Sequence, residues 1–250
     1  MNFIALVGTN ASFSYNRKLL WFMKKHFGTQ ANIEIQEISD IPMFIEDAVE
    51  VPKRVNDLIQ IIEISDGIIF STPEYDHSIS AALKSTIEWL SWGEFHPLTN
   101  RPVMIVGASL GNMGTVFAQE NLRQILSSPG LNSFVLPGNQ FLLGNAAKAF
   151  DINGNLIDER TITWLEHCFT AFISYVNIIK PISNQEEKLK SSNSSDKSEN
   201  KVWTIEDFSQ IDADTGASVD DEVDDELEAN RLNIEEELAW ALDAMESADE

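Results

Sequence analysis

Apolar residues follow two alternating rhythms over the first 180 positions. Phe3–Val7 is a continuous apolar run that breaks at Gly8, as a buried strand entering a turn would. Leu19, Leu20, Phe22, Met23 and Phe27 recur at helical spacing between Asn16 and Phe27. Ile33–Ile38 alternates apolar with polar, predicting a strand with one wetter face. The spacing of Val55, Leu58, Ile59 and Ile62 predicts a helix over Pro52–Ser65, and Gly67–Ser71 reads as a strand ending at Thr72-Pro73. Ser78–Ser91 reads as a third helix, Pro102–Gly107 as a strand, and Thr115–Leu126 as a helix stopped by Ser127-Ser128-Pro129-Gly130. Ser133–Leu136 is a short last strand, and Asp158–Ile179 a long closing helix with Ile162, Leu165, Phe169, Phe172 and Val176 as its apolar stripe. Five strands alternating with five helices predict an α/β domain: a five-stranded parallel sheet, doubly wound, with helices on both faces in three layers.

The pattern changes after Pro181, so residues 1–180 are expected to form the domain. Ser183–Asn200 holds six serines and no aromatic residue, which makes 181–201 a flexible linker. Residues 202–250 form an acidic tail, yet Trp203, Ile205, Phe208 and Ile211 are too apolar for a purely solvating segment. Near its end, Asn233 can cap a short helix opening on Glu235-Glu236-Glu237, with Ile234, Leu238, Ala241, Leu242 and Met245 on one face.

Charge sharpens this division. The chain of 250 residues carries a formal net charge of −23, of which residues 1–180 contribute −6 and residues 181–250 contribute −17. A nucleic-acid binder needs a basic footprint and an anionic membrane needs a basic face, so neither partner fits. The single cysteine, Cys168, excludes a disulfide framework and a cysteine-based zinc site. The start lacks a basic leader and no apolar stretch is long enough to span a bilayer, so a cytoplasmic protein is the expectation.

Ligands of open α/β sheets bind beyond the carboxyl ends of the strands, where three loops carry distinctive chemistry. Gly8–Asn16 is rich in hydroxyl and amide groups and opens a helix, whose first N–H groups can hold a phosphate without a lysine; it equally suits an ordinary cap by Ser14. Thr72–Ser78 can set backbone amides and an aromatic ring beside a flat ligand, or be a plain turn. Gly107–Gly114 has three glycines that permit close backbone approach, or a simple connection.

Taken together, Ser71–Ser91 and the two other loops resemble the NAD(P)H-dependent FMN reductase family, which is flavodoxin-like and includes quinone, chromate and azo-dye reductases. The family signature runs Thr-Pro-Glu-Tyr-Asn-x-Ser-x-Pro-Gly-x-Leu-Lys-Asn-Ala-Ile-Asp-Trp, against Thr72-Pro73-Glu74-Tyr75-Asp76-His77-Ser78 and Leu83-Lys84 with Trp89 here. Ala118-Gln119 and Leu122-Arg123 are similar to the family's following helix. The resemblance implies FMN bound without covalent attachment and NAD(P)H as co-substrate. It implies a phosphate site at Thr9, Ser14 and Asn16, ribityl and isoalloxazine contacts at Pro73, Glu74, Tyr75 and Asp76, and a third flavin-side loop at Ser109 and Gly111. It also implies a homodimer. Departures are Ala11, where many members have arginine, Asp76 for asparagine, and Ser80-Ala81 for Pro-Gly. A carboxylate at Asp76 beside the ring would disfavour an anionic reduced flavin. Hydride chemistry on a flavin asks the protein for position and electrostatics, so no catalytic side chain and no metal ligand is nominated. His77 either faces an acceptor or is a capping or surface histidine, and Cys168 reads as core.

In the tail, Asp212-Ala213-Asp214-Thr215-Gly216-Ala217-Ser218 resembles the motif at which a flavin transferase joins FMN to a hydroxyl through a phosphoester. The matching residue is Ser218; the alternative is a solvated acidic loop. The expected function is an NAD(P)H-dependent FMN oxidoreductase passing electrons through bound FMN, and through a second, covalent FMN on the tail, to an acceptor redox protein. The alternatives are a simple quinone, azo or flavin reductase with an inert tail, and a non-enzymatic flavin electron carrier.

Overall fold

Alternation along the strands builds the core. In β1 (Asn2–Val7), Phe3, Ala5 and Val7 face one layer while Ile4 and Leu6 face the other. The same period of two recurs in β3 (Gly67–Ser71) and β4 (Pro102–Ala108), both buried along their whole length. The computed structural model describes residues 1–93 and 95–193, with side chains to Lys180. The tail, including Ser218, lies outside the described residues.

With β2 (Asn32–Gln36), the strands pair in parallel in the order β2-β1-β3-β4-β5. Helices α1 (Tyr15–His26) and α6 (Glu159–Asn193) pack on one face. Helices α2 (Lys53–Glu63), α3 (Ala81–Ser91) and α4 (Val116–Leu126) pack on the other. This is the flavodoxin-like, three-layer arrangement expected from the sequence. Phe27 stacks on Phe169 at 4.0 Å between ring centroids, and Phe3 meets Phe172 at 5.0 Å, which seats α6 on the sheet. Cys168 lies in this layer with no exposure, and burial pushes its thiol up to about 11, so it is an inert core residue.

Several details differ from the sequence expectation. The fifth strand position is split: β5 (Phe134–Val135) pairs with the start of β4, and β6 (Phe141–Leu143) pairs with its end. Between them Gly138 and Asn139 take φ +61° and +42°, and the Arg123 guanidinium donates to the Leu136 carbonyl at 2.8 Å, holding the break open. A three-residue run after Pro137-Gly138-Asn139 carries too little pattern to announce a strand. A four-residue helix, α5 (Ala146–Ala149), follows. The closing helix continues past Ile179 and Pro181 to Asn193, into the segment read as linker. Proline removes one hydrogen bond from a helix already several turns long, and Gln185–Lys190 is rich in strong helix formers.

Helix starts are set by local caps. Ser14 accepts from the Arg17 N–H at 3.2 Å and starts α1. Ser80 accepts from the Leu83 N–H at 3.1 Å, so α3 begins at Ala81 rather than Ser78. The same Ser80 hydroxyl donates to the Gly8 carbonyl at 2.7 Å, tying α3 to the end of β1. No helix among the described residues is long and apolar enough to cross a membrane.

Gly107, near the end of β4, faces the Thr115 hydroxyl and lies so close that an added Cβ would also sit 2.7 Å from the Thr72 carbonyl oxygen. Gly107→Ala should therefore lower the unfolding free energy by about 2–3 kcal/mol in urea denaturation. Gly130→Ala, where nothing lies within 4 Å, is the control and should be near neutral. Equal stability of the two variants would show that the close approach at Gly107 carries no strain.

Candidate functional site

The carboxyl ends of β3 and β4 are tied to the start of α1 by one buried amide. Asn16, in the first turn of α1, donates its side-chain N–H to the Ala108 carbonyl at 2.9 Å. Its Oδ1 accepts from the Ala108 N–H at 2.9 Å and from the Ser71 hydroxyl at 3.0 Å. The side chain is thus committed to the scaffold. Its neighbour's N–H, at Tyr15, and its own belong to the first turn of a helix, where N–H groups have no intrahelical partner. They remain available, with the positive end of α1, for an anion.

The loop before α1 is held from beneath by Arg17. Its guanidinium donates to the carbonyls of Ala11 and Ser12, each at 3.0 Å, and pairs with both oxygens of Glu37. The hydrogen bond to Glu37 raises Arg17's pKa, against the smaller opposing effect of burial. This arginine shapes the loop with its charge already matched. Thr9 is buried, accepts from the Ala11 N–H at 3.2 Å, and lies 3.4 Å from the Tyr75 hydroxyl, linking the first loop to the second.

In the second loop, Glu74 reaches across to α4. One carboxylate oxygen accepts from the Phe117 N–H at 2.8 Å and the Ala118 N–H at 3.0 Å. It is a cap supplied from another element, where Thr115 makes no side-chain cap of its own. Tyr75 and Ser78 exchange two backbone hydrogen bonds of 3.0 Å, closing a two-residue hairpin. Its corners, Asp76 and His77, have φ +49° and +61°. Both positive angles suit a type I′ turn, for which aspartate and asparagine are favoured over most residues. The third loop closes on itself through the Ser109 hydroxyl, which donates to the Gly114 carbonyl at 2.6 Å. It is braced by bonds from the Asn145 N–H to the Gly111 carbonyl at 3.0 Å and from the Ala146 N–H to the Ser109 carbonyl at 2.9 Å.

These loops surround a cavity of about 850 Å³, at the upper end of the range of about 300–1,000 Å³ for small-molecule sites. Of the residues expected from the sequence, Ser14, Asn16, Pro73, Glu74, Tyr75, Ser109 and Gly111 line it. Thr9 stands behind the wall, and Asp76 sits exposed at the hairpin corner, outside the lining. Sequence reasoning passed over the apolar collar: Phe13, Leu110, Met113 and Phe117 all line the cavity and are all exposed. Large apolar residues inside loops (Phe13, Leu110 and Met113), where solvation favours polar ones, were the signal available, whereas Phe117 lies in α4. No lysine or arginine lines the cavity. Among the described residues no three His, Cys, Asp or Glu cluster as a metal site would require.

The arrangement fits a flat aromatic ligand with an anionic end. Apolar rings and a methionine suit the flat part, and hydroxyls with helix-start N–H groups suit the anion. A family model described as NADPH-dependent FMN reductase matches residues 1–148. The chain is 45% identical over 191 residues to the NADH:(hydroxy)cinnamate reductase subunit CrdA of Vibrio ruber, covering 76% of this chain and 94% of that protein. It is 44% identical over 180 residues to the NADH-dependent flavin reductase subunit 2 of Lactobacillus johnsonii, covering 70% of this chain and 97% of that one. The solved structure of FerB, a flavoenzyme NAD(P)H:(acceptor) oxidoreductase from Paracoccus denitrificans, aligns with TM-score 0.65 and 25% identity over 70% of this chain and 97% of that one.

Asn16→Ala strands the buried N–H and C=O of Ala108, while the Ser71 hydroxyl keeps its bond to the residue-16 carbonyl, and should cost about 3 kcal/mol of stability. Glu74→Ala removes only a cap and should cost about 1–2 kcal/mol. Urea titration of the ligand-free protein reads both, and wild-type stability for Asn16→Ala would remove the amide from its central place.

Proposed function

We infer from its place in the NADPH-dependent FMN reductase family, to which the chain belongs, that the cavity above β1, β3 and β4 is its FMN site. The chain is an NAD(P)H-dependent flavin oxidoreductase. The observation that carries the site assignment is the convergence of three loops on one cavity lined by a helix start and by exposed apolar side chains. FMN, when bound, supplies hydride acceptance from the nicotinamide and delivery of two electrons to an acceptor.

The chain's own part is to bind and orient. In this reading the Ser14 hydroxyl and the N–H groups of Tyr15 and Asn16 hold the phosphate, with Thr9 keeping their loop in place. Pro73, Glu74 and Tyr75 line the ribityl and ring side, and Ser109 with Gly111 form the opposite loop. Asp76 contributes its backbone conformation. A phosphate held without a cationic side chain relies on fixed dipoles, which act only if the loop is rigid; Arg17 supplies that rigidity.

Two of the similar proteins are named as subunits. We extend this to electron delivery to an acceptor redox protein by a homodimer, in the cytoplasm where nicotinamide cofactors are recycled. The division into a reductase domain at 1–180, a linker at 181–201 whose first part continues α6 to Asn193, and a tail at 202–250 belongs to the same proposal. On the tail, Ser218 is the proposed attachment point for a second FMN, joined by a flavin transferase. A flexible tether would hold it near the first flavin at high effective concentration. A second reading also has support: the two relatives are matched over 94% and 97% of their length while 24% and 30% of this chain remain uncovered. Reductase activity of the kind they are named for therefore does not call for the tail, which would then be inert.

The purified protein should release about one FMN per chain on acid precipitation and oxidise NADH or NADPH with an added quinone. A colourless protein that oxidises neither would overturn the assignment. Separately, intact mass after co-expression with a flavin transferase should show one further FMN moiety on the full chain, absent in Ser218→Ala. No adduct on the wild-type chain favours the inert tail.

A further inference from the structure

His77, at the second corner of the Tyr75–Ser78 hairpin, lies flat against Phe117, with ring centroids 4.5 Å apart and 6° between planes. Both rings line the cavity. The stack joins two rigid supports. The hairpin is closed by two backbone hydrogen bonds, and the Phe117 backbone is held by the Glu74 carboxylate. At φ +61°, a region where histidine is enriched among non-glycine residues, the His77 imidazole lies on Phe117 and lines the cavity. Among the described residues the imidazole nitrogens have no hydrogen-bond partner, although the ring is fixed in place. In either protonation state an imidazole carries at least one N–H donor. His77 is also the only residue lining this cavity that can carry positive charge.

We propose that His77, pinned by Phe117, selects the electron acceptor by offering an N–H to the carbonyl oxygen of a planar acceptor of the quinone class. This rests on the reductase reading above. The wall presents a flat aromatic surface beside a fixed donor, which matches a small neutral ring bearing carbonyl groups. A nicotinamide dinucleotide carries a pyrophosphate, for which the lining offers no lysine or arginine near this wall. The overall reaction balances without further reagents. NADH gives up a hydride, that is two electrons and one proton. Benzoquinone takes both electrons, that proton and a second proton from water, and becomes hydroquinone.

The test compares benzoquinone with ferricyanide, which takes electrons one at a time and has no ring to stack. His77→Phe keeps the aromatic wall and loses the donor; His77→Asn keeps an N–H donor and tolerates positive φ. For His77→Phe, the ratio of kcat/KM for benzoquinone to that for ferricyanide should fall about tenfold, through KM. For His77→Asn the ratio should stay within about threefold of wild type. The dissociation constant of FMN, read by fluorescence titration, and the KM for NADH should remain near wild type in both variants. The proposal is overturned if His77→Phe leaves the ratio unchanged, if the two variants lose it equally, or if the loss appears in FMN affinity or in the KM for NADH. A wild-type protein inactive with ferricyanide as well as benzoquinone would instead bring down the reductase reading itself.

Discussion

The site depends on the buried side chain of Asn16. Three strands end side by side, and at the end of β4 the backbone groups of Ala108 find their partners in a side chain. The amide of Asn16 supplies the missing partners for Ala108 in both directions and takes the Ser71 hydroxyl as well. An apolar residue there would leave both Ala108 backbone groups unpaired in a dry interior, where each costs roughly 1–3 kcal/mol. Because Asn16 lies in the first turn of α1, the same bonds fix where that helix begins and where its N–H groups point.

The other contacts extend this clasp outward. Ser80 ties α3 to the carbonyl of Gly8, and Glu74 ties the second loop to the start of α4. Arg17 holds the first loop through two carbonyls while Glu37 matches its charge. The polar side chains at the carboxyl end of the sheet thus mostly hold loops to one another. The surfaces left facing the cavity are helix-start N–H groups, hydroxyls and exposed apolar side chains. Such a division suits a cofactor that performs the chemistry itself and needs a preorganised frame.

The two parts of the chain have different electrostatic character. The domain is close to neutral for its size, and its cavity has no lysine or arginine in its lining. Residues 181–250 carry −17 of the −23 charges. Repulsion by such a segment acts against other polyanions and leaves a neutral planar acceptor unaffected.

The sequence by itself determined the order of strands and helices, the parallel doubly wound sheet, and the three loops that meet above it. Hydrophobic period and turn chemistry are local properties, so they survive without knowledge of neighbours. The pattern also located most of the cavity lining, because ligand loops follow strand ends in such sheets. What it could not state was the work each residue does. Asn16 meets Ala108 across 92 positions and Glu74 meets Phe117 across 43, contacts that exist only because β1 lies beside β3 and β3 beside β4. Glu74, which lines the cavity, also caps α4, and Asp76 forms a turn corner. The break between β5 and β6 and the run of α6 past Pro181 were likewise invisible, because each rests on partners or on helix continuity that a short window does not contain. The stacking of His77 on Phe117 was decided by tertiary structure alone, since it needs a hairpin corner and a helix start brought together by a third residue, Glu74.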